Sequence, residues 1–411
     1  MEYITLLDMA SSLGYHLAMC GAETFRVEEA VLRTLHAYGQ NAECFSIPNL
    51  LIITLNIPGG EPMTRIRRIG YHGNDMDGVE QYSNLSRRIC AETPEPKVAL
   101  QWVSDTAGRV KKYGICASLL GNFLGASGFC LFFGGSLPDT LLSGLLGILI
   151  GLVNRFTSRL HANPFFSTVA ASYLMSLVAY LLNDMGICEA PNTVIIGALM
   201  ILVPGLLITN AMRDVIFGDT NSGINRIVQV LLIAVAIAMG TAAAWSTAAY
   251  LLSPPSGLGT PFPGLAIELI ASLIGCIGFS ILFNVHGFGI SFCVLGGMMT
   301  WAVYRLAGYL GCGVVLSNFW ASFAASLFSE CMARIRKYPA ISYLVVSVFP
   351  LLPGAGIYYT MLYAVNGDMA AFASKGAETA AIAGSLAMGI LLVSTAVRMW
   401  TIWKIEHSHR K

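Results

Sequence analysis

Two stretches of the sequence decide the fold: LVPGLLITN (residues 202–210) and LLPGAGIYYT (residues 351–360). Each places a Pro-Gly pair inside an apolar run. Proline lacks a backbone N–H and clashes with the preceding turn, and glycine permits a sharp bend, so each pair predicts a break within a membrane-spanning helix. Pro353 follows Pro204 by 149 positions. This regular spacing indicates that the chain contains two copies of one unit.

The composition of the whole chain indicates a membrane protein. It has 411 residues, of which 55% are hydrophobic and only 11% are charged, whereas soluble domains carry about 25% charged residues. Roughly half of the charged residues lie in residues 1–112. We therefore expect a polar N-terminal domain in water and lipid around the rest. The net charge of +1 argues against a nucleic-acid partner.

After residue 112, ten apolar segments of about 20 residues follow, each long enough to cross about 30 Å of hydrocarbon. They are 113–134, 138–155, 164–183, 192–212, 224–252, 263–283, 287–308, 313–333, 340–363 and 376–402. Ten spans place both termini on one side of the membrane. The fold class is therefore a mainly α-helical membrane protein of about ten transmembrane helices, preceded by a small α+β domain.

The N-terminal domain alternates helical and strand-like patterns. Apolar spacing predicts three helices, and alternating residues between turn signals predict three strands. The helices are 4–20, 22–38 and 76–91, and the strands are 42–47, 50–56 and 63–69. A Pro-containing linker, ETPEPK (residues 92–97), follows the last helix.

Loop charges predict the orientation in the membrane. If the N-terminal domain is cytoplasmic, the inner loops and tail carry ten basic residues and the outer loops carry Arg305 and Lys375. Cytoplasmic loops carry the excess of Lys and Arg in membrane proteins. We therefore expect a multi-pass protein of the inner (plasma) membrane with both termini in the cytoplasm.

The two halves of the membrane region resemble each other. A shift of 150 residues aligns Arg155 with Arg305, and one residue of slippage then aligns Gly218-Asp219 with Gly367-Asp368. Because five helices is an odd number, tandem copies enter the membrane from opposite sides. Inverted repeats of this kind occur in secondary carriers with alternating access. The predicted domains are 1–112, 113–255 and 256–411.

The predicted substrate site lies at the two breaks. The N-terminus of a half-helix carries partial positive charge and free N–H donors, which suit a carboxylate. Polar side chains that follow each break can hydrogen-bond a small polar ligand. The candidate substrate-binding residues are Pro204, Gly205, Thr209, Asn210, Pro353, Gly354, Tyr358 and Thr360.

Three carboxylates inside predicted spans are candidates for proton coupling: Glu268, Glu330 and Glu378. Ionisable groups in the membrane are costly and are therefore suspected of function. We expect no metal and no cofactor, since the ten cysteines form no CxxC pair and no cluster with histidine. The expected partners are a small amino-acid or carboxylate substrate, protons and membrane lipid. A homo-oligomer is left open.

An enzyme is a remote alternative. The N-terminal domain contains residues that a hydrolase would use, namely His16, His36, His72, Ser46 and Asp75. Their spacing matches neither a nucleophile elbow nor an HExxH helix, and no phosphate-binding loop for ATP is present. We therefore expect a transporter and not an enzyme.

The stretch CGAETFRVEEAVLRTLHAYG (residues 20–39), with IPNLLIITL and TRIRRI after it, resembles the N-terminal domain of the threonine/serine exporter family. This resemblance covers nearly the whole chain and is strongest over Gly21–Glu28. It implies a soluble N-terminal domain fused to about ten transmembrane helices. It also implies export of L-threonine and L-serine driven by the proton-motive force. Some two-subunit relatives are associated with small dicarboxylates, so a substrate such as succinate stays open.

Overall fold

The computed structural model describes residues 2–70, 73–216, 218–252, 264–336 and 338–408. They form two compact units. Unit 1 is Met1–Tyr113 together with Phe283–His286, and unit 2 is Gly114–Leu282 together with Gly287–Lys411. The predicted boundary between residues 255 and 256 lies outside the described residues, as do His72 and the uncharged segment 253–263.

Unit 1 is an α+β unit with a three-stranded antiparallel sheet in the order β1-β2-β3. Its elements are α1 (Tyr3–Met19), α2 (Thr24–Ala37), β1 (Asn41–Ile47), β2 (Leu50–Asn56), β3 (Met63–Arg68), α3 (Met76–Glu92) and α4 (Pro96–Arg109). Alternate residues of β2 (Leu51, Ile53 and Leu55) are fully or nearly fully buried, and α1 packs against this strand. The three predicted helices and three predicted strands are confirmed to within two residues at each end.

Helix α4 begins within the segment that the sequence pattern indicated as a linker. Thr93 adopts a left-handed conformation with φ of 39° and ends α3. Pro96 then occupies the first turn of α4, where its missing N–H costs no hydrogen bond. Ala99 and Val103 are buried, and they fix α4 against the rest of unit 1.

A short loop from the second half of the chain belongs to unit 1. The Asn284 side chain donates to Asp75 Oδ1 at 2.7 Å and to the Lys111 carbonyl at 2.6 Å. The Tyr113 hydroxyl donates to the Val285 carbonyl at 2.9 Å. These bonds tie Phe283–His286 to the N-terminal unit, although 170 residues of chain lie between Tyr113 and Asn284.

Unit 2 contains twelve α-helices and one short 3₁₀ helix among the described residues. They are α5 (Ile115–Phe132), α6 (Leu137–Arg159), α7 (Pro164–Asp184), α8 (Pro191–Leu199), α9 (Gly205–Ile216), α10 (Thr220–Leu251), α11 (Leu265–Leu282), α12 (Gly289–Tyr309), α13 (Val314–Arg336), α14 (Ile341–Ser347), the 3₁₀ helix (Phe349–Leu351), α15 (Gly354–Val365) and α16 (Met369–Ser408).

Seven of these helices (α5, α6, α7, α10, α11, α12 and α16) are long and apolar enough to cross a membrane, by length and composition, within the described parts of the chain. The bent pair Ile341–Ser347 and Phe349–Ala364, with an angle of 42°, raises the number to eight. The chain is therefore a mostly helical membrane protein. Two of the ten predicted spans do not meet this criterion of length and composition. One is 192–212, which is divided into α8 and α9 of 9 and 12 residues, and the other is 313–333, which corresponds to α13. Helix α13 has 23 residues, but its serines, Asn318 and Glu330 make it less apolar.

Helices α5 and α11 form the most extensive contact between two helices of unit 2. A Cβ atom placed on Gly128 would overlap the backbone of Gly275, and one placed on Gly278 would overlap the backbone of Gly125. Small residues let membrane helices approach to backbone contact, where van der Waals packing drives their association.

Candidate functional site

The two Pro-Gly breaks lie against each other. A Cβ atom built on Gly205 would lie 2.9 Å from Leu352 Cβ, and one built on Gly354 would lie 3.2 Å from Val203 Cγ1. The residue before each proline therefore packs on the glycine of the other break. The structure brings together Pro204-Gly205 and Pro353-Gly354, which the sequence analysis had placed at one site.

The backbone has the same form at both breaks. The Gly205 N–H donates to the Val203 carbonyl at 2.9 Å, and the Gly354 N–H donates to the Leu352 carbonyl at 2.7 Å. Helices α9 and α15 start at these glycines, and the first N–H groups of a helix have no acceptor within it. Two helix N-termini, each with a partial positive charge, thus begin at the place where the breaks meet.

The polar residues after the breaks are mostly buried. Thr209 Oγ1 donates to the Gly205 carbonyl at 3.3 Å, and Thr360 Oγ1 donates to the Gly356 carbonyl at 2.7 Å. Each hydroxyl oxygen keeps lone pairs with which it can accept a hydrogen bond. Tyr358 is also buried and interacts with Thr241 of α10, whereas Asn210 is half-buried. The arrangement can bind a small ligand that has both donors and acceptors.

The space beside the second break is small in this conformation. A cavity of about 10 Å³ is lined by residues of α5 and α11 and by Phe349 and Pro350. The rings of Phe279 and Phe349 stack at 3.6 Å between centroids. A cavity of this volume holds at most one water molecule. Its walls must move before any molecule larger than water can enter.

Glu268 is a fully buried carboxylate on α11. Its Oε2 accepts from Trp301 Nε1 at 2.9 Å and pairs with Arg305 Nε at 3.2 Å. Within the described residues, its Oε1 has no hydrogen-bond partner. Burying a charge is costly unless it is fully paired, so this half-satisfied carboxylate is a feature that folding alone does not favour.

Glu330 and Glu378 lie in more exposed surroundings. Glu330 pairs with Arg334 at 3.3 Å, and Glu378 pairs with Lys375 at 2.8 Å. Arg334 lies over the ring of Trp400, about 33 Å from Glu378 along α16 at 1.5 Å per residue. The structure therefore does not bring Glu330 and Glu378 together.

The sequence analysis missed Asp139, which is 1% exposed. Its Oδ1 accepts from the Glu189 N–H at 3.1 Å and the Ala190 N–H at 3.5 Å, and its Oδ2 accepts from Ser136 Oγ at 2.9 Å. Ala190 is the residue before α8, so Asp139 fixes the start of the first broken segment. The available signal was a carboxylate just inside an apolar span, which is costly in lipid.

A buried ion pair follows the first break and was also missed. Asp214 Oδ2 lies 2.9 Å from Arg226 Nε, and their side chains are 8% and 13% exposed. The pair joins α9 to α10. Arg226 is one of the ten basic residues that the loop charges placed in the inner loops and tail, whereas α10 already begins at Thr220.

In unit 1, the residues considered for hydrolysis take part in separate contacts. The His16 ring stacks on Tyr82 at 5.0 Å, and burial, with Arg67 nearby, lowers the pKa of His16. Asp75 Oδ1 accepts from the Gly78 N–H at 2.9 Å and caps α3. Burial raises the pKa of the Cys20 thiol to about 12, so this thiol is a poor nucleophile at neutral pH.

Comparison with known proteins covers almost the whole chain. A family model described as "Putative threonine/serine exporter" matches residues 8–248, and one described as "Threonine/Serine exporter, ThrE" matches residues 268–396. The chain is 22% identical over 400 residues to the threonine/serine exporter of Corynebacterium glutamicum, covering 94% of this chain and 81% of that protein. It is 21% identical over 411 residues to the probable threonine/serine exporter of Mycobacterium tuberculosis, covering 94% and 75%. No solved structure gives a significant match.

Proposed function

The chain belongs to the threonine/serine exporter family, and we propose that it exports small hydroxy amino acids, L-threonine and L-serine, in exchange for protons. The observation that carries this proposal is the meeting of the two breaks, where the residue before each proline packs on the glycine of the other. The two helix N-termini there would bind the substrate carboxylate. The hydroxyls of Thr209 and Thr360 would accept hydrogen bonds from the ammonium group.

We also propose an architecture of two inverted five-helix repeats with ten crossings, which would suit this function. Helices α7 and α13 begin 150 residues apart, at Pro164 and Val314, and α8 and α14 begin 150 residues apart, at Pro191 and Ile341. Contacts repeat at the same spacing. Gly240 packs on Ser172 in the first half, and Gly389 packs on Ser322 in the second half.

The parity of the crossings favours the same architecture. Residues up to Tyr113 and the loop Phe283–His286 belong to one unit, so the chain between them crosses the membrane an even number of times. Helices α5, α6, α7, α10 and α11 supply five crossings. A sixth is obtained if α8 and α9 together form one broken span. We therefore propose that the first broken pair crosses the membrane.

Alternating access would use the two breaks as the moving parts. Asp139 holds the start of α8 through two backbone N–H groups, and α9 packs on α16 while α15 packs on α10. Each half thus holds a broken segment of the other. Rocking of one half against the other would open the small central cavity first to one side of the membrane and then to the other.

Glu268 is the strongest of the three candidates for proton coupling. It is completely buried, and its Oε1 has no hydrogen-bond partner among the described residues, which is an unusual state for a carboxylate that has only a structural role. Protonation would weaken its pairing with Arg305. Glu330 and Glu378 stay candidates with less support, since each is partly exposed and paired with a basic residue of its own helix.

We also propose that the protein lies in the inner membrane and that unit 1 is on the cytoplasmic side, as the loop charges favour. Unit 1 would regulate transport. Removal of residues 1–108 should leave a transporter whose activity no longer responds to regulation. Full and normally regulated transport by that variant would contradict a regulatory role.

The direct test is transport by purified protein in proteoliposomes. Labelled serine or threonine should move when a pH gradient is applied, and a protonophore should stop its accumulation. Absence of movement under any gradient would contradict the proposal. Transport of labelled succinate that an excess of serine does not inhibit would assign the carrier to dicarboxylates. Hydrolytic activity of the purified chain would instead support the enzyme alternative.

A further inference from the structure

A second cavity lies beside Arg305, at the turn between α12 and α13. Its volume is about 390 Å³, and its lining includes Tyr304, Arg305, Tyr309, Cys312 and Ser317. Sites for small molecules have volumes of about 300–1,000 Å³. In contrast to the 10 Å³ cavity beside the second break, this cavity can admit an amino acid in the conformation described here.

Arg305 gives the cavity a specific chemistry. Its Nε is held by the buried Glu268 at 3.2 Å, while its side chain is 46% exposed. A guanidinium group has five N–H donors in a planar fork. The bond to Glu268 uses Nε, so within the described residues the two terminal nitrogens are left to bind a ligand. That fork matches the two oxygens of a carboxylate.

The surroundings of Arg305 hold the guanidinium in place. Trp301 Nε1 donates to the same Glu268 oxygen at 2.9 Å, and the Trp301 ring stacks on Tyr304 at 4.7 Å between centroids. Trp301 and Arg305 thus both contact Oε2 of the buried Glu268 carboxylate. The carboxylate in turn holds the guanidinium of Arg305 in one position. A held guanidinium loses less conformational entropy on binding than a free surface arginine.

We propose that this cavity is a second substrate subsite, in which Arg305 binds the carboxylate of the amino acid after it leaves the site between the breaks. The proposal rests on the proposed function, because the orientation deduced there places Arg305 at the outer face of the membrane. Tyr304, Tyr309 and Ser317 also line the cavity, and a hydroxyl oxygen can accept a hydrogen bond from the ammonium group. The subsite takes zwitterionic amino acids and lies on the exit side.

The first half of the membrane region provides a matched control. Arg155 is the counterpart of Arg305 at a shift of 150 residues, but Ser118 stands where the second half has Glu268. Arg155 is exposed and lacks the carboxylate anchor that Glu268 gives Arg305. An effect of general surface charge would be the same at both arginines, whereas a subsite would depend on Arg305 alone.

The test is counterflow of labelled serine in proteoliposomes, with the serine concentration varied separately on each side. Arg305→Gln should raise the half-saturating concentration on the exit side about 10- to 100-fold, as loss of a charged hydrogen bond predicts. The half-saturating serine concentration on the opposite side should stay within about twofold of that of the unaltered protein. Arg305→Lys should give an intermediate increase, and Arg155→Gln should change neither side.

A second variant separates binding from folding. Arg305→Gln leaves Glu268 buried without its cation, which can destabilise the protein. The double variant Glu268→Gln/Arg305→Gln removes both charges and should fold, yet it should show the same loss of exit-side binding. Unchanged exit-side half-saturation in a folded variant, or an equal effect of Arg155→Gln, would overturn the subsite. Failure of the unaltered protein to move serine or threonine would instead overturn the proposed function.

Discussion

The two halves of unit 2, residues 114–252 and residues 264–282 with 287–408, make similar helix contacts and differ in where they bury charge. Gly240 and Gly389 occupy equivalent positions and make equivalent contacts, with Ser172 and Ser322. The charged positions are not equivalent, because Glu268 has Ser118 as its counterpart. Small residues at helix contacts therefore define the shared scaffold. Under the proposed function, the buried charges would give each half a separate task.

The first half has its own buried acid at a different position. Asp214 pairs with Arg226, and a shift of 149 residues places Tyr363 and Lys375 at the corresponding positions of the second half. In a symmetric carrier both ends of the transport path would have the same chemistry. Here one half has an ion pair between α9 and α10, and the other has a carboxylate and an arginine between α11 and α12. The following predictions test this division.

The largest expected effect is on stability in the first half. Asp214→Asn should lower the free energy of unfolding by about 3–5 kcal/mol, since it leaves Arg226 buried without its carboxylate. Thermal unfolding of the purified protein in detergent measures this. The double variant Asp214→Asn/Arg226→Gln should recover much of the loss, and Tyr363→Phe should cost little. Equal losses for Asp214→Asn and Tyr363→Phe would remove the difference between the halves.

The second prediction concerns coupling in the second half. Glu268→Gln should reduce serine accumulation driven by a pH gradient about 100-fold, in the range expected for loss of a group that transfers protons. Exchange of serine without a gradient should continue, because Glu268 is not part of the site between the two breaks, although the half-saturating concentration on the exit side should rise once Arg305 loses its anchor. Ser118→Ala is the matched control and should transport normally. Gradient-driven accumulation by Glu268→Gln at the normal rate would exclude Glu268 from coupling.

The third prediction tests whether the breaks are equivalent. Pro204→Ala and Pro353→Ala should each lower transport about tenfold, because alanine permits the helix to continue and withdraws N–H groups from the site. The yield of folded protein should change less than twofold. Transport rate per folded molecule is the measurement. Equal loss of transport and yield would indicate ordinary kinks, and a loss at one proline alone would show that the breaks differ in function.

The smallest effect is expected in unit 1, outside both halves. The pKa of His16 is lowered by burial, so below about pH 6.5 the unfolded chain binds the proton more readily than the folded one. His16 therefore reduces stability as pH falls below that value and has no such effect above it. The cost should be less than about 1 kcal/mol. Hydrogen exchange in α1, compared between wild type and His16→Phe at each pH, should diverge only below about pH 6.5.

Much of the fold could be predicted from local patterns. The strands β1 to β3 follow the alternation of residues, and the long spans follow their apolar length. The two breaks were located because proline and glycine act on the backbone directly at Pro204 and Pro353. Helix α4 was missed because Pro96 indicated a linker, although proline is also favoured in the first turn of a helix. Its burial depends on α1 and α3, which no local pattern reveals.

The site was only partly predictable for a related reason. Pro204, Pro353 and Glu268 stand out in an apolar sequence because each is costly there. The partners of Glu268 do not stand out in the sequence. Trp301 is a common type of residue in a membrane helix, and only the fold shows that it lies on α12 against Glu268 of α11. Asp139 likewise gains its role from Glu189 and Ala190, about 50 residues later in the chain. Pairings between distant residues are set by tertiary packing, which the periodicity of the sequence does not reveal.

Helix α11 joins two features that were described separately. It has 18 residues, about 27 Å at 1.5 Å per residue, with Glu268 near its first turn and the loop Phe283–His286 at its other end. That loop is held by Asn284 through Asp75 and Lys111. Since α11 continues directly into this loop, the chain from Glu268 to Asn284 forms one nearly unbroken helical stretch with a fixed end.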